Sequence, residues 1–377
     1  MNIPKLRFKD NNGNDYPQWE KKKLGDIVQF LDNKRKPLEQ SERIHGKYPY
    51  YGASGIIDYI NNYIFDEELV LLSEDGANII DRNYPICYIA TGKYWVNNHA
   101  HVLKTKSQYL NKFLCEALER LNYNKYNTGT AQPKLNQDIC KNILLNIPIL
   151  HEQEKIANFF STIDKKIKNL ANTITSLENQ KKGLLQQIFS QKLRFKDKNG
   201  NNYPNWKKKK LGDLFTIKAG GDINKENFSE QYSIEFKYPV YVNALTNNGL
   251  YGYSNIYKID KPSITVTGRG INVGFALSRE PFYYPIVRLL VLIPNININF
   301  TFFTESINFI HIFNESTGVP QLTAPQLSKV NVYVPNIEEQ NKIGNLFDKL
   351  NEKIDNKKAQ LEHWQQIKKG LLQQMFV

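Results

Sequence analysis

Polar side chains that could read DNA bases gather in short segments of both halves of the chain. Base edges are read by donors and acceptors such as Arg, Lys, Asn, Gln, Ser and Thr held on short loops. In the first half these are Lys34, Arg35, Lys36, Lys93, Asn97, Asn98, His99, His101, Thr128, Thr130 and Gln132. In the second half they are Asn243, Asn247, Asn248, Arg269, Asn272, Ser316, Thr317 and Gln321. Because the two sets differ, the two halves would present different side chains to a nucleic acid.

The sequence contains no pattern that predicts catalysis. It lacks the N/D-P-P-Y/F tetrapeptide of amino-methyltransferases, the GxxxxGKS/T phosphate loop and the HExxH zinc motif. Residues 268–274 resemble a dinucleotide loop, but the third glycine comes one residue late and no helix-start signal follows, so a glycine-rich turn is favoured. We therefore expect no enzyme. An active site of an unrecognised type stays open as the least favoured alternative.

Cysteine and histidine residues do not form a metal-binding pattern. Cys87, Cys115 and Cys140 have none of the CxxC or Cys/His spacings that zinc requires. His99 and His101 alternate along a predicted strand, and polar contacts or packing explain them better than a catalytic base does. We expect no metal and no cofactor in this chain.

The overall charge favours a polyanionic partner. The 377 residues carry a formal net charge of +13 and include the lysine runs 21–23 and 207–210. Many soluble proteins are also basic, and a lysine run is often only a solvated face, so charge alone leaves the partner open. No apolar segment has the length of a membrane span, and the N-terminus has no signal-peptide core, so we expect no membrane partner and a cytoplasmic protein.

A tandem duplication organises the chain. Residues 6–26 return at 193–213 with 17 of 21 positions identical, at an offset of 187. At the same offset, residues 152, 153, 155 and 156 and the heptapeptide 181–187 also recur. We call these repeated segments, at 6–26, 152–156 and 181–187 and again at 193–213, 339–343 and 368–374, the frame. Between them the two copies differ, which indicates one scaffold that holds two different recognition domains.

Two stretches that follow a repeated P-x-x-x-E-Q entry predict long amphipathic helices whose apolar positions step by three and four. The first seam consists of Phe160, Ile163, Ile167, Leu170, Ile174, Leu177, Leu184 and Ile188, with Lys181 as a break. The second consists of Phe347, Leu350, Ile354, Leu361, Trp364, Leu371 and Met375, with Lys357 and Lys368 as breaks.

We expect the two helices to pair in an antiparallel coiled coil. A parallel pair in register would place Lys181 and Lys368 in one apolar layer, where they would repel each other. The first helix also runs into the second frame copy at residue 193 with almost no linker, so the second helix must return in order to pair. The alternative, two separate amphipathic helices that each pack on their own domain, stays open.

The segments between the helices predict two domains of the α+β class. Short β-type runs alternate with turn signals and with helical segments, but the strand order does not follow from the pattern. We predict a first domain at 1–150 (head 1), a helix at 151–190, a second domain at 191–337 (head 2) and a helix at 338–377. The fold is thus two pseudo-symmetric globular heads separated by a long antiparallel coiled coil.

The order of the repeated motifs also predicts where the chain ends lie. In mid-chain, KKGLLQQIF leads through SQK into LRFKD, whereas KKGLLQQMF ends the sequence and LRFKD stands near its start. The pseudo-symmetry therefore places the last residues beside the first, as a non-covalent copy of the junction at 189–193. We expect a circular permutant opened near residue 191 to fold.

The chain resembles the specificity subunits of Type I restriction and modification systems over its whole length. The resemblance lies in the alternation of variable heads with near-repeated helices and in both P-x-x-x-E-Q entries. It also lies in the phrases YPYYGASGIIDYI at 48–60, WVNNHAHVL at 95–103 and STGVPQL at 316–322. The second seam is more polar than this pattern leads one to expect.

The resemblance implies a non-catalytic DNA reader. Each head would be a target recognition domain for one half of an asymmetric bipartite site in double-stranded DNA, and the helices would act as a ruler. Two methyltransferase subunits would supply S-adenosylmethionine and adenine-N6 methylation, and two ATP-driven, Mg-dependent restriction subunits would join for cleavage. A helix of about 38 residues, roughly 57 Å long, sets an upper limit of about 17 base pairs between half-site centres. A stand-alone coiled-coil scaffold or repressor that binds nucleic acid remains the alternative.

Overall fold

The chain divides into two units, each built from one head and parts of both long helices. The computed structural model describes residues 4–105, 108–129, 131–270, 272–310, 312 and 320–376. Unit 1 comprises Met1–Ala171 and Ala359–Val377, and unit 2 comprises Asn172–Lys358. The first helix thus begins in unit 1 and ends in unit 2, whereas the second begins in unit 2 and ends in unit 1.

Unit 1 combines short strands with short helices, as an α+β domain does. Its strands are β1 (Glu20–Lys23), β2 (Gln29–Phe30), β3 (His45–Gly52), β4 (Gly55–Ile60), β5 (Phe65–Asp66), β6 (Leu69–Ser73), β7 (Cys87–Ala90), β8 (Lys93–Val96), β9 (Ala100–Lys104) and β10 (Leu144–Ile147). Its helices are α1 (Leu24–Ile27), α2 (Asn78–Asp81), α3 (Gln108–Arg120), α4 (Gln137–Lys141), the first part of α5 (Leu150–Phe189) and the last part of α9 (Ile337–Met375).

The strands of unit 1 form two four-stranded sheets, in the orders β2-β9-β6-β7 and β4-β3-β8-β5, and the pair β1-β10. Strand β6 lies between two partners and all of its residues are buried, because its apolar run, LVLL, has no polar alternation. The buried core therefore holds the ends of β6 and β9 in place, together with the loops that follow β6 and precede β9.

Unit 2 is also built from short strands and short helices, and one of its two four-stranded sheets repeats a sheet of unit 1. Its strands are β11 (Lys207–Lys210), β12 (Phe215–Ala219), β13 (Phe228–Ser229), β14 (Tyr238–Tyr241), β15 (Leu250–Ser254), β16 (Ser263–Thr267), β17 (Ala276–Arg279), β18 (Tyr284–Pro285), β19 (Leu289–Pro294) and β20 (Asn331–Val334). Its helices are the last part of α5, α6 (Leu211–Leu214), α7 (Phe300–Ile310), α8 (Ala324–Ser328) and the first part of α9 (Ile337–Met375). The sheet β12-β19-β16-β17 has the topology of β2-β9-β6-β7, although the two sequences read differently.

Helices α5 and α9 run antiparallel within each unit. In the core of unit 1, Ile163, near the start of α5, packs with Met375, at the end of α9. In the core of unit 2, Ile188, at the end of α5, packs with Phe347, near the start of α9. The antiparallel arrangement follows from these two observations, since each unit joins the beginning of one helix to the end of the other.

The apolar residues predicted for the helix seam are all buried or half-buried. The buried positions are Phe160, Ile163, Leu170, Ile174, Leu177, Ile188, Phe347, Ile354 and Met375. The half-buried positions are Ile167, Leu184, Leu350, Leu361, Trp364 and Leu371.

Two of the three seam lysines that break the apolar pattern, Lys181 and Lys368, are each paired with an acidic residue of a head. Lys181 Nζ lies 2.6 Å from Glu305 on α7. Lys368 Nζ lies 3.0 Å from Glu116 on α3 and 2.8 Å from Asp164 on α5. These lysines therefore attach the helix pair to each head instead of weakening the seam.

The repeated frame makes the same contacts in both units. Arg7 donates to Glu152 from Nε at 3.0 Å and from Nη2 at 2.7 Å, and Trp19 Nε1 donates to the same carboxylate at 3.0 Å. In unit 2 the corresponding residues are Arg194, Glu339 and Trp206, with distances of 3.1, 2.7 and 3.0 Å. Both glutamates are fully buried, which explains why the helix entry and the N-terminal segment of the frame repeat together.

The chain ends reproduce the internal junction. The Leu193 N–H donates to Gln187 O at 3.0 Å, within the continuous chain of unit 2. In unit 1 the Leu6 N–H donates to Gln374 O at 3.1 Å, across the two ends of the sequence. The last residues therefore lie beside the first, as the motif order predicts.

Candidate nucleic-acid interface

In head 1, three polar residues meet at one end of the β6-β9 strand pair. Ser73 of β6 pairs with Ala100 of β9. Asp75 lies two residues beyond the first, His99 lies one residue before the second, and His99 Nδ1 is 2.8 Å from the Asp75 carboxylate. Lys134 forms a bridge with Asp75 from a third loop. We call Asp75, His99 and Lys134 corner 1.

In head 2, the topologically equivalent end of β16 and β19 carries different side chains. Thr267 of β16 pairs with Leu289 of β19. Arg269 lies two residues beyond the first, and Arg288 lies one residue before the second. Gln321 forms a bridge with Arg269 from a third loop. We call Arg269, Arg288 and Gln321 corner 2.

A buried ionic network holds corner 1 in place. Arg35 Nη1 donates to the Glu74 carboxylate at 2.5 Å and to Ala100 O at 2.9 Å. His101 Nδ1 lies 2.7 Å from Asp32, and its Nε2 lies 2.7 Å from Leu135 O. Both ring nitrogens of His101 thus face acceptors, which requires the protonated imidazolium.

The environment of His101 determines its protonation. Burial alone would lower the pKa of His101, but hydrogen bonds to Asp32 and Cys140 raise it to about 10. The pKa of Asp32 is lowered, because its bonds with His101 outweigh the opposing effect of burial. Asp32, Glu74 and His101 are close enough together to bind a metal ion, yet the two carboxylates are already neutralised by Arg35 and by the imidazolium.

Three residues expected to contact DNA in head 1 are positioning residues instead. His101 is 1% exposed and Asn97 is 4% exposed, so neither side chain reaches the surface. The Asn97 Oδ1 accepts from the His99 N–H at 2.8 Å. The Arg35 guanidinium is bound to internal carboxylates and carbonyls. The sequence could not separate these three residues from their exposed neighbours, because a polar side chain at a strand end can face the core or the solvent.

In head 2, Asn243 and Arg279 fix the loops around corner 2. The Asn243 Oδ1 accepts from the N–H of Gly268 at 2.6 Å and of Arg269 at 3.1 Å, and its Nδ2 donates to Arg269 O at 2.7 Å. Arg279 is buried and donates to Asn248 O at 2.7 Å, which secures the loop in which Asn247 and Asn248 adopt φ of 49° and 51°. Asn243 thus shapes the loop of Arg269, and its amide is used internally.

The other predicted contact residues are on the surface or outside the described part of the chain. The exposed residues are Lys34, Lys36, Lys93, Asn98, His99, Thr128, Gln132, Asn247, Asn248, Arg269, Asn272 and Gln321. Thr130, Ser316 and Thr317 lie outside the described residues. Lys93 begins β8, whereas corner 1 follows the end of that strand, so Lys93 belongs to a different surface. DNA contact by each exposed residue stays a prediction.

Asp75, Lys134 and Arg288 escaped the sequence reasoning. Asp75 does not belong to the residue types from which base contacts were predicted, although a carboxylate can accept a hydrogen bond from a base amine. Arg288 stands just before the apolar run Leu289–Leu292, and its position at a strand end is the signal that could have identified it. Lys134 could not be identified from the sequence, because only the fold brings its loop beside Asp75.

Known proteins resemble the chain in sequence and in fold. Residues 16–179 and 203–364 match the family model described as Type I restriction modification DNA specificity domain. A Mycoplasma pneumoniae protein described as a type I specificity subunit is 27% identical over 334 residues, which is 87% of this chain and 88% of that protein. The specificity subunit of the type I restriction enzyme MjaVIII from Methanocaldococcus jannaschii is 23% identical over an alignment of 411 residues, 97% of this chain and 94% of that subunit.

A solved structure shares the fold. The crystal structure of the S subunit of a Type-I restriction-modification system from M. genitalium superimposes with a TM-score of 0.71 at 19% identity, covering 99% of both chains. Among the helices that the structure describes, none combines the length and the apolarity needed to cross a membrane.

Proposed function

This chain belongs to the family of Type I restriction-modification DNA specificity subunits, and from that premise we propose that each head reads one half of an asymmetric bipartite DNA sequence. The observation that carries the proposal is the pair of corners. Heads 1 and 2 share the strand order of the sheet that carries the corners. At its end they present Asp75, His99 and Lys134 in one case and Arg269, Arg288 and Gln321 in the other. One fold with two side-chain sets suits two different half-sites.

The family match separates this function from the alternative of a stand-alone scaffold or repressor. It extends over most of both heads and most of both helices, and it includes both helix entries of the frame, at 152–156 and 339–343. Sequence-specific recognition of DNA is therefore the function of this chain, and a non-specific scaffold is not favoured.

Partner subunits would bind the frame. Because the frame makes identical contacts in both units, it offers two equivalent docking surfaces, which suits two copies of a methyltransferase subunit. We assign methylation, with S-adenosylmethionine, to those subunits, and cleavage, with ATP and Mg, to two further restriction subunits. This chain itself performs no catalysis and acts in the cytoplasm, where the DNA is.

Mapping of methylated adenines tests the proposal. The chain is co-expressed with its methyltransferase partner in cells that have no other adenine methylation, and the modified positions are read from the genomic DNA. We expect one bipartite motif with two unlike halves and a fixed spacer. A continuous motif, or methylation without sequence preference, would contradict the proposal. Co-purification gives a second readout, with two methyltransferase subunits expected for each copy of this chain.

A further inference from the structure

We propose that Arg269 and Arg288 of corner 2 determine the specificity of head 2 by reading guanine. The inference deepens the proposed function and rests on it. It assigns a base to one of the two half-sites and names the side chains that recognise it.

The backbone at corner 2 is held rigidly while both arginine side chains remain at the surface. The Asn243 side chain clamps the N–H and the carbonyl of Arg269, and the Gly270 N–H donates to Pro320 O at 2.9 Å. The two loops touch so closely that a Cβ on Gly268 would come within 2.3 Å of Arg288 O. Any larger residue at 268 would push the two arginine-bearing loops apart.

Arg288 adopts a backbone conformation that costs free energy. Its φ of 64° lies in the left-handed region, which residues other than Gly, Asn and Asp rarely occupy. Such conformations persist where the surroundings impose them, and they gather at functional sites. Here the flanking Leu289 is anchored in β19 by its pairing with Thr267, so the strained turn points the arginine away from the sheet core.

The state of the two guanidinium groups distinguishes them from the arginines with structural roles. Arg7, Arg35 and Arg194 are each bound to a buried or half-buried carboxylate. Within the described residues, neither Arg269 nor Arg288 is in a salt bridge, and both are exposed. Two exposed, charged side chains on a fixed backbone at one strand end suit an anionic or strongly polar ligand.

Guanine is the base that such groups recognise best. The planar guanidinium donates in parallel to O6 and N7 of guanine in the major groove, and no other base offers two acceptors there. Gln321, bridged to Arg269, adds an amide suited to a neighbouring base. Corner 1 carries a carboxylate at the position of Arg269, so its head would not select guanine in the same way.

The test compares methylation motifs of the complete complex. Arg269→Gln and Arg288→Gln are each co-expressed with the methyltransferase partner, beside the unsubstituted chain and the control Lys237→Gln, which changes an exposed lysine just before β14. The unsubstituted chain reports on the proposed function itself. If it yields no bipartite motif, the proposed function fails, and this inference with it.

Given a bipartite motif, each arginine variant should relax one guanine position in one half-site. Selectivity at that position should fall about 5- to 150-fold, while the other half-site and the spacer stay the same. Lys237→Gln should leave the motif unchanged. Methylation of the unaltered half-site is the internal proof that each variant is folded, and Arg269→Lys, which retains the charge but not the planar fork, should relax the same position.

Three outcomes would overturn the inference. The first is a wild-type motif in both arginine variants, and the second is relaxation at positions other than guanine. The third is an equal loss of affinity for all sequences, with a salt dependence reduced by about one counterion, which would assign the arginines to phosphate contacts. The inference would also be overturned if the Arg269→Lys protein lost all methylation while its thermal unfolding matched that of the unsubstituted chain.

Discussion

The frames of the two units and the corners of the two heads differ in what duplication preserved. Arg7 Nη2 lies 2.7 Å from Glu152 in unit 1, and Arg194 Nη2 lies 2.7 Å from Glu339 in unit 2. The corners occupy equivalent strand ends, yet an aspartate stands in corner 1 where corner 2 has Arg269. The frame performs one task twice, so its contacts repeat. The corners, which we propose read two different half-sites, share only their backbone topology.

The largest expected effect comes from removing the buried carboxylate of either frame. Glu152→Ala removes the shared carboxylate that accepts from the Arg7 guanidinium and from the Trp19 N–H, and Glu339→Ala does the same in unit 2. Loss of one partner of a buried ion pair costs about 3–5 kcal/mol. Chemical denaturation should therefore show two variants destabilised to nearly equal extents. A clear inequality would mean that the frames are alike in geometry but not in energetics.

His101 should give head 1 a pH dependence that head 2 lacks at this position, where Leu290 stands. The pKa of His101 is raised from an unfolded value of 6.5 to about 10, with burial opposing and Asp32 favouring the charged form. The stabilisation is complete below pH 6.5 and is lost as the pH rises toward 10. Its size is on the order of 5 kcal/mol. Unfolding free energies of the unsubstituted chain and of His101→Gln should converge over this window, and a constant difference would count against a charged His101.

The seam lysines offer a smaller effect that separates the two units. Lys368→Met leaves Glu116 with Lys112, whose Nζ lies 2.5 Å from it. Lys181→Met leaves Glu305 with only a neutral contact among the described residues, the amide of Asn351 at 3.2 Å. An unpaired buried carboxylate costs about 1–3 kcal/mol. We expect Lys181→Met to lower the midpoint of chemical denaturation more than Lys368→Met does, and the reverse order would refute this account of the seam.

The smallest expected effect is that of circular permutation. The permutant joins the two ends by a short linker and is opened near Gln191. The junction between the ends thereby becomes covalent, and the junction at 189–193 becomes non-covalent. Because the Leu6 and Gln374 contact already exists, stability should change by about 1 kcal/mol or less. Thermal unfolding and the methylation motif of the permutant both report on it. An insoluble permutant would contradict the equivalence of the two junctions.

The sequence predicted the parts of this fold that local patterns determine. Heptad spacing and charge gave the paired antiparallel helices, and apolar runs gave strands such as Asn331–Val334. Partners that come from distant segments escaped prediction. The pattern marked Lys181 as a defect of the seam, because nothing local reveals Glu305. His101 looked like a surface reader, because its acceptors at Asp32 and Leu135 approach it only in the folded sheet.

The candidate site was predicted less completely than the fold. Arg269, His99 and Gln321 were named as candidates from residue type alone, since loops rich in polar residues suggest base contacts, and their contact with DNA stays a prediction. Asn243 was found for the same reason, but its amide shapes a loop. Arg288 and Asp75 needed the strand register, which places them beside residues far away in sequence.

One measurement tests the central claim, that helices α5 and α9 set the spacing of the half-sites while the corners determine the sequences that are read. One helical turn is duplicated within residues 160–180, and the adenine methylation motif is mapped for the complex with its methyltransferase partner. We predict a changed spacer between two half-sites whose sequences are unaltered. An altered half-site sequence with an unchanged spacer would contradict the claim.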